Sequence, residues 1–273
     1  MTDRPAHFIA VAGAFEPTRY AHSHWGDDHL NGPAVVGLAA RTLEKAYGSD
    51  EFMPTRLTVD LFKAARGVPT TLTTRLVRDG RRVRNAECDV IQNGVTVARA
   101  ILVAYRRSAA PPGEQWLADT DFRYPDGPLP GPHEIAGPYV GSDGPGWTRS
   151  IAGHQNADRT RFLDRPIDVV AGEPNSPFVR AAVIAESTSL VTNLGTRGIG
   201  YINGDLTVGL ARLPVDGWLG VQADSHQTAD GIAVGAATLF DSRGPFGSGL
   251  ITAVANSAAQ IDFAKPGLTS MRF

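Results

Sequence analysis

Apolar residues recur at every second position in two stretches of this chain: Leu57, Val59 and Leu61 in "LTVDLF", and Leu206, Val208 and Leu210 in "LTVGLA". Period-two alternation predicts strands with one buried face. Both stretches read Leu-Thr-Val-x-Leu, and the likeness continues beyond them. A glycine turn follows each, at Gly67 and Gly217; "RDGRRV" (78–83) then answers to "ADGIAV" (229–234), and "QNG" (92–94) to "SRG" (242–244). Strand-like runs close both series, "VTVARAILVAY" and "PFGSGLITAV". Small drifts in spacing are what insertions in surface loops produce.

A helical pattern precedes each strand series. "NGPAVVGLAARTLEKAY" carries Pro33 in its first turn, and "NSPFVRAAVIAESTSLVTN" carries Ser176 as N-cap with Pro177 behind it. Ala34 to Ala40 contains no polar side chain, which predicts a helix buried on all sides. Each half thus reads as one long buried helix followed by an antiparallel meander, an α+β arrangement occurring twice. Residues 107–146 are dense in proline and glycine and read as an irregular surface connector. The expected division is an N-terminal unit over 1–107, a connector over 108–145 and a C-terminal unit over 146–273.

Composition narrows the picture only modestly. The 273 residues are 42% hydrophobic and 20% charged, a globular balance, and the net charge of −2 gives no general attraction to nucleic acid or anionic membrane. A single cysteine, Cys88, forms no internal disulfide, which suits a reducing compartment, and it sits in an alternating strand as a core residue. The N-terminal apolar run, Phe8 to Phe15, is too short for a membrane helix, which needs roughly 18–20 residues, and lacks the basic flank of a secretory signal. A cytoplasmic location without membrane insertion is the expectation.

The duplicated pattern, carried by "HLNGPAVVGLAARTLEKA", "LTVDLF", "SPFVRAAVIAESTS" and "YINGDLTVGLARLPVDGWLGV", resembles the TesB-like acyl-CoA thioesterases. The resemblance implies a tandem (double) hotdog fold, each half a central helix wrapped by a curled antiparallel sheet. It implies an acyl-CoA substrate, no cofactor and no metal. In hotdog proteins the ligand lies where two units pair, so a tandem copy makes that pair internal; this removes the need for a second chain without forbidding a homodimer of the whole unit.

The family's attacking water is held by a carboxylate, a hydroxyl and an amide. These places fall on Glu186, on Asn203 and near Thr252, so the acid is kept as a glutamate where the family pattern usually has an aspartate, and both partners differ. Read without the family, Glu186 has Val183, Ala182, Val179 and Leu190 at helical spacing, an apolar face that would desolvate a carboxylate and raise its pKa toward a useful base. A glutamate reaching solvent past small neighbours is the plainer alternative. Asp205 shares a face with Asn203 if the strand is regular, but Gly204 between them can mark a bulge that breaks the parity. Hotdog enzymes also polarise the thioester carbonyl with an N–H at a helix start, which points to Asn31 and Gly32.

Two charged clusters complete the candidates. Arg75, Arg78, Arg81, Arg82 and Arg84 crowd one turn; Arg78 and Arg81 would meet coenzyme A phosphates, or the cluster simply solvates a hairpin. "HSHWGDDH" (22–29) places three histidines and two aspartates together, with His22 and His24 on one side of an extended segment, but histidines capping a loop explain it better than zinc. "GTRGIG" follows a helix rather than a strand, and "FGSGL" lacks the nucleophile-elbow spacing, so neither a dinucleotide site nor a serine hydrolase is supported. Hydration of an enoyl-CoA would need an Asp and His pair on one helix, which is missing. The competing class is a non-catalytic acyl-thioester binding protein on the same fold.

Overall fold

The two Leu-Thr-Val strands lie side by side. In the computed structural model, which describes residues 4–26, 28–131, 134 and 136–265, Thr58 pairs with Thr207, Leu57 with Val208 and Val59 with Leu206, antiparallel. The duplicated sequence is therefore the seam of the molecule.

The first half runs β1 (Ala6–Val11), β2 (Ala14–Pro17), α1 (Gly32–Tyr47), β3 (Phe52–Leu61), β4 (Thr71–Asp79), β5 (Val83–Gln92) and β6 (Val95–Arg106). The second runs β7 (Tyr139–Ser142), β8 (Gly146–Thr148), β9 (Thr160–Asp164), β10 (Asp168–Val170), α2 (Pro177–Ala185), α3 (Thr188–Asn193), β11 (Leu194–Gly195), β12 (Gly198–Ile199) and β13 (Tyr201–Asn203). It ends with β14 (Asp205–Leu210), β15 (Leu219–Ala229), β16 (Ile232–Asp241) and β17 (Gly244–Ala255). Read outward from the seam, the large sheet goes β3-β6-β5-β4 on one side and β14-β17-β16-β15 on the other, followed by β9, β7 and β8. The same strand order on both sides gives an internal two-fold relation, as in an isologous dimer.

Local chemistry explains the turns. Asn93-Gly94 and Asp230-Gly231 both take positive φ at the two central positions, the conformation that a tight hairpin's twist demands. Their strands put apolar residues on the inner face, and Cys88 is wholly buried there, its thiol pushed up to about 12 chiefly by burial.

Asn31 caps α1, its Oδ1 accepting the Ala34 N–H at 2.8 Å, and Ser176 caps α2 through the Val179 N–H. The stretch Ala34–Ala40 is buried throughout, as its composition predicts. The helices pack closely because Gly37 lacks a side chain: a Cβ there would lie 2.7 Å from Val169 Cγ2 and 2.8 Å from Val183 Cγ2.

The second long helix is not continuous. It stops after Ala185 and resumes at Thr188, with tighter bonds from the Ser187 N–H to Ile184 O and from the Ser189 N–H to Glu186 O. The break falls where the alanine-rich run gives way to "ESTS", whose serines and threonine compete for backbone hydrogen bonds.

Residues 107–138 carry no regular element among those described. The connector is nonetheless pinned: the Phe122 ring stacks on Phe240, centroids 4.9 Å apart, and Trp218 donates to Pro130 O at 3.0 Å.

Candidate active site

The break between α2 and α3 places Glu186 beside the N-terminus of α1, where the helices of the two halves meet. A Cβ on Gly32 would lie 2.9 Å from Glu186 Cγ and closer still to its carboxylate. Only a glycine permits this approach. Asn203, at the end of β13, donates from Nδ2 to Glu186 Oε1 at 3.3 Å, and its Oδ1 accepts from Ser189 Oγ at 3.1 Å. Ser189 also accepts from Asn193 at 3.4 Å. Burial pushes the Glu186 carboxyl up to about 7, opposed in part by the bond from Asn203.

The first turn of α1 supplies a donor. Ala34 N–H is taken by the Asn31 side chain, Val35 N–H by Asn31 O, and Pro33 has no N–H. Gly32 N–H is left, with no protein acceptor among the described residues, at the positive end of the helix dipole.

These groups line a cavity of about 410 Å³, within the usual range for small-molecule sites. Its walls are mainly apolar, with Trp25, Leu30, Val35, Leu61, Leu190 and Ile202 among them. Among the residues that line it, Phe62, Lys63 and Val254 are exposed, whereas Ile199, Ile261 and Phe263 are buried. Behind it, His7 and Asp164 are buried around a much smaller cavity that shares Pro33 and Ser187 with the first. Burial pushes His7 down to about 4 and Asp164 up to about 7.

Glu186, Asn203, Asn31 and Gly32 thus converge. Asp205 and Thr252 do not. The strand is interrupted at Gly204, so Asn203 and Asp205 lose the common face that a regular strand would give them. The Asp205 carboxylate instead accepts the Thr252 N–H at 2.8 Å and the Thr252 hydroxyl, on an exposed part of the sheet outside the cavity. That pair staples the irregular backbone to β17.

Arg78 and Arg81 also stand apart. Their turn is at the end of the sheet where Val83 pairs with Tyr105 and Tyr105 with Met53, whereas the cavity is at the Leu61 end of β3. Ten strand residues span roughly 30 Å. Lys63, exposed, lines the cavity instead. The variant Arg78→Ala/Arg81→Ala is expected to leave KM for acyl-CoA within about two-fold of wild type, as for a surface change far from the site; Lys63→Ala should raise it. A marked rise in KM in the double variant would return the arginines to substrate binding.

His22, His24 and His29 do line the cavity, although no group of three or more potential metal ligands assembles among the described residues. Asp27 of the same segment lies outside the described residues. His24 packs edge-on against Phe263, with centroids 5.8 Å apart. Ser189 and Lys63 escaped the sequence reading. Ser189 had a usable signal, three residues after Glu186 and so on the same side of a helix; Lys63 had none, since only the folded sheet brings it to the cavity.

Among solved structures, a hot dog fold protein from Alicyclobacillus acidocaldarius superposes with a TM-score of 0.64 at 16% identity, covering 92% of this chain and 96% of that one. The acyl-CoA thioesterase II TesB2 from Mycobacterium marinum gives 0.58 at 13% identity, covering 94% and 96%. The tesB protein of Mycobacterium avium subs paratuberculosis gives 0.58 at 14%, covering 84% and 88%. At such identities the likeness defines the fold class: this is a hotdog protein. None of the curated proteins is a significant sequence match. Residues 21–105 match the acyl-CoA thioesterase N-terminal domain and residues 108–250 the C-terminal domain of the same family. The chain belongs to the acyl-CoA thioesterase family. No helix among the described residues is long and apolar enough to cross a membrane.

Proposed function

We propose that this chain hydrolyses acyl-CoA thioesters in the cavity between its two halves, with Glu186 as general base. The observation that carries the reading is the Glu186 carboxyl, desolvated in an apolar cavity, hydrogen-bonded by Asn203 and pressed against the N-terminus of α1. Water attacks the thioester carbon and gives a proton to Glu186 as the C–O bond forms. The Gly32 N–H donates to the developing oxyanion. The C–S bond then breaks, the electron pair leaves with sulfur, and the proton held by Glu186 passes to the thiolate. Asn203 holds the carboxylate in place, and Ser189, through Asn203, is a positioning residue.

On this reading the chain is a tandem hotdog, its units over 1–107 and 146–273 joined by 108–145, and the β3–β14 seam replaces the interface of a two-chain dimer. The fusion frees the halves to diverge: the first contributes the helix N-terminus and the second the carboxylate. Thr252 has no part in the chemistry.

The test is release of free thiol from a short-to-long acyl-CoA series. Because the base must be ionised, kcat/KM is expected to rise with pH through an apparent pKa near 7 and level off above it. Acyl-CoA that raises the melting temperature but is never consumed would overturn hydrolysis in favour of a binding protein.

A further inference from the structure

The residues that line the cavity differ in exposure, and the difference bears on which way a substrate lies. Phe62 is 53% and Val254 56% exposed, and Lys63, which also lines the cavity, is exposed as well. Ile199, Ile261 and Phe263 line the same cavity and are all buried, Phe263 to 2% exposure. Glu186 and Gly32 line the same cavity. A substrate with one anionic, hydrated end and one apolar end fits such a space in one sense only, since burying the charged end would cost far more than exposing it.

Two of these three buried residues come from the segment that follows β17, and that segment is tightly held. Ile261 exchanges both backbone hydrogen bonds with Ile199, at 2.9 and 3.0 Å. Gly198 makes this contact possible, because a Cβ there would lie 2.9 Å from the Ile261 carbonyl carbon. Gln155 accepts the Phe263 N–H at 2.7 Å and donates to Asp262 at 2.9 Å, while Gln260 donates to Arg197 O at 2.8 Å. The Phe263 ring then meets the edge of His24 from the other half.

We propose that this C-terminal strap, through Ile261 and Phe263, is the blind end of the acyl channel and sets the acyl chain length the enzyme accepts. The proposal rests on the thioesterase reading above and adds to it which way the substrate lies and what stops it. The strap is fixed from Gln155, Arg197 and Ile199 rather than by the sheet. Chain length is therefore determined by a segment apart from the reacting groups.

The experiment measures kcat/KM for straight-chain acyl-CoAs of increasing length with wild type, Phe263→Ala and Phe263→Leu. Removal of the ring is expected to move the optimum to chains longer by about two to four carbons, and to raise kcat/KM for those chains at least ~10-fold relative to the old optimum. Phe263→Leu should shift it less, and it keeps the inference testable if the alanine variant fails to fold. Unchanged profiles in folded variants of an active enzyme would overturn the strap's role alone. A shift produced by Phe62→Ala and not at Phe263 would reverse the direction and overturn it equally. Wild type that releases no thiol from any acyl-CoA would instead sink the thioesterase reading on which it stands.

Discussion

Glu186→Gln is expected to lower kcat/KM for acyl-CoA hydrolysis by about 10²–10⁴-fold, the usual share of a positioned general base, and to make the protein more stable. Both effects have one origin. The carboxyl is pushed up to about 7 by burial, so the folded state binds a proton that the unfolded chain releases near its ordinary value. Stability therefore falls as pH rises through that interval and the loss is complete above it. Glutamine keeps the shape and the bond from Asn203 but never ionises. At pH 8 the variant should be more stable by about 2–3 kcal/mol, or about 4–8 °C in Tm, with little difference at pH 4. His7 and Asp164 titrate in both proteins and cancel in the comparison. A variant of undiminished rate would remove Glu186 from the chemistry; a variant no more stable at pH 8 would show that the carboxylate is not desolvated.

Gly32→Ala carries the second large effect, against local preference. Alanine is the better helix former by about 0.5–1 kcal/mol, yet its Cβ would fall on the Glu186 side chain. The carboxyl must then move away from the α1 N-terminus, and kcat/KM should drop at least ~100-fold, the cost of misplacing a reacting group by about 1 Å. The crowding itself should cost about 1–3 kcal/mol of stability. Combining it with Glu186→Ala isolates the contact: once Glu186 is shortened, the stability cost of Gly32→Ala should vanish. If that cost persists, the strain comes from elsewhere in the α1 start, and the close approach of the halves is not what Gly32 is for.

Much of the architecture was legible in the chain. The repeat of Leu57–Leu61 at Leu206–Leu210, the glycine turns and the two proline-led helix starts all depend on neighbours a few residues apart, where side-chain alternation and turn chemistry act. Asn31, Gly32, Glu186 and Asn203 became candidates chiefly through the resemblance to the TesB-like thioesterases; local pattern added only the apolar neighbours of Glu186.

What failed to follow from the sequence are features set by distant parts of the chain. Gly204 and the break after Ala185 each decide a side chain's direction through one irregular backbone step, so Asn203 turns to Glu186 while Asp205 turns to Thr252. The arginines of the turn after β4 belong to the far end of β3, a separation only the assembled sheet creates. Ile261 and Phe263 reach the cavity through bonds to Ile199 and Gln155, more than sixty positions away along the backbone in the nearer case. By itself the sequence determined the two helix-and-meander patterns, because alternation, caps and turns are local, and it offered a set of candidate site residues. Only the tertiary structure decided which of those residues face one another in one cavity, because burial and close approach depend on the seam between β3 and β14 that brings the two halves together.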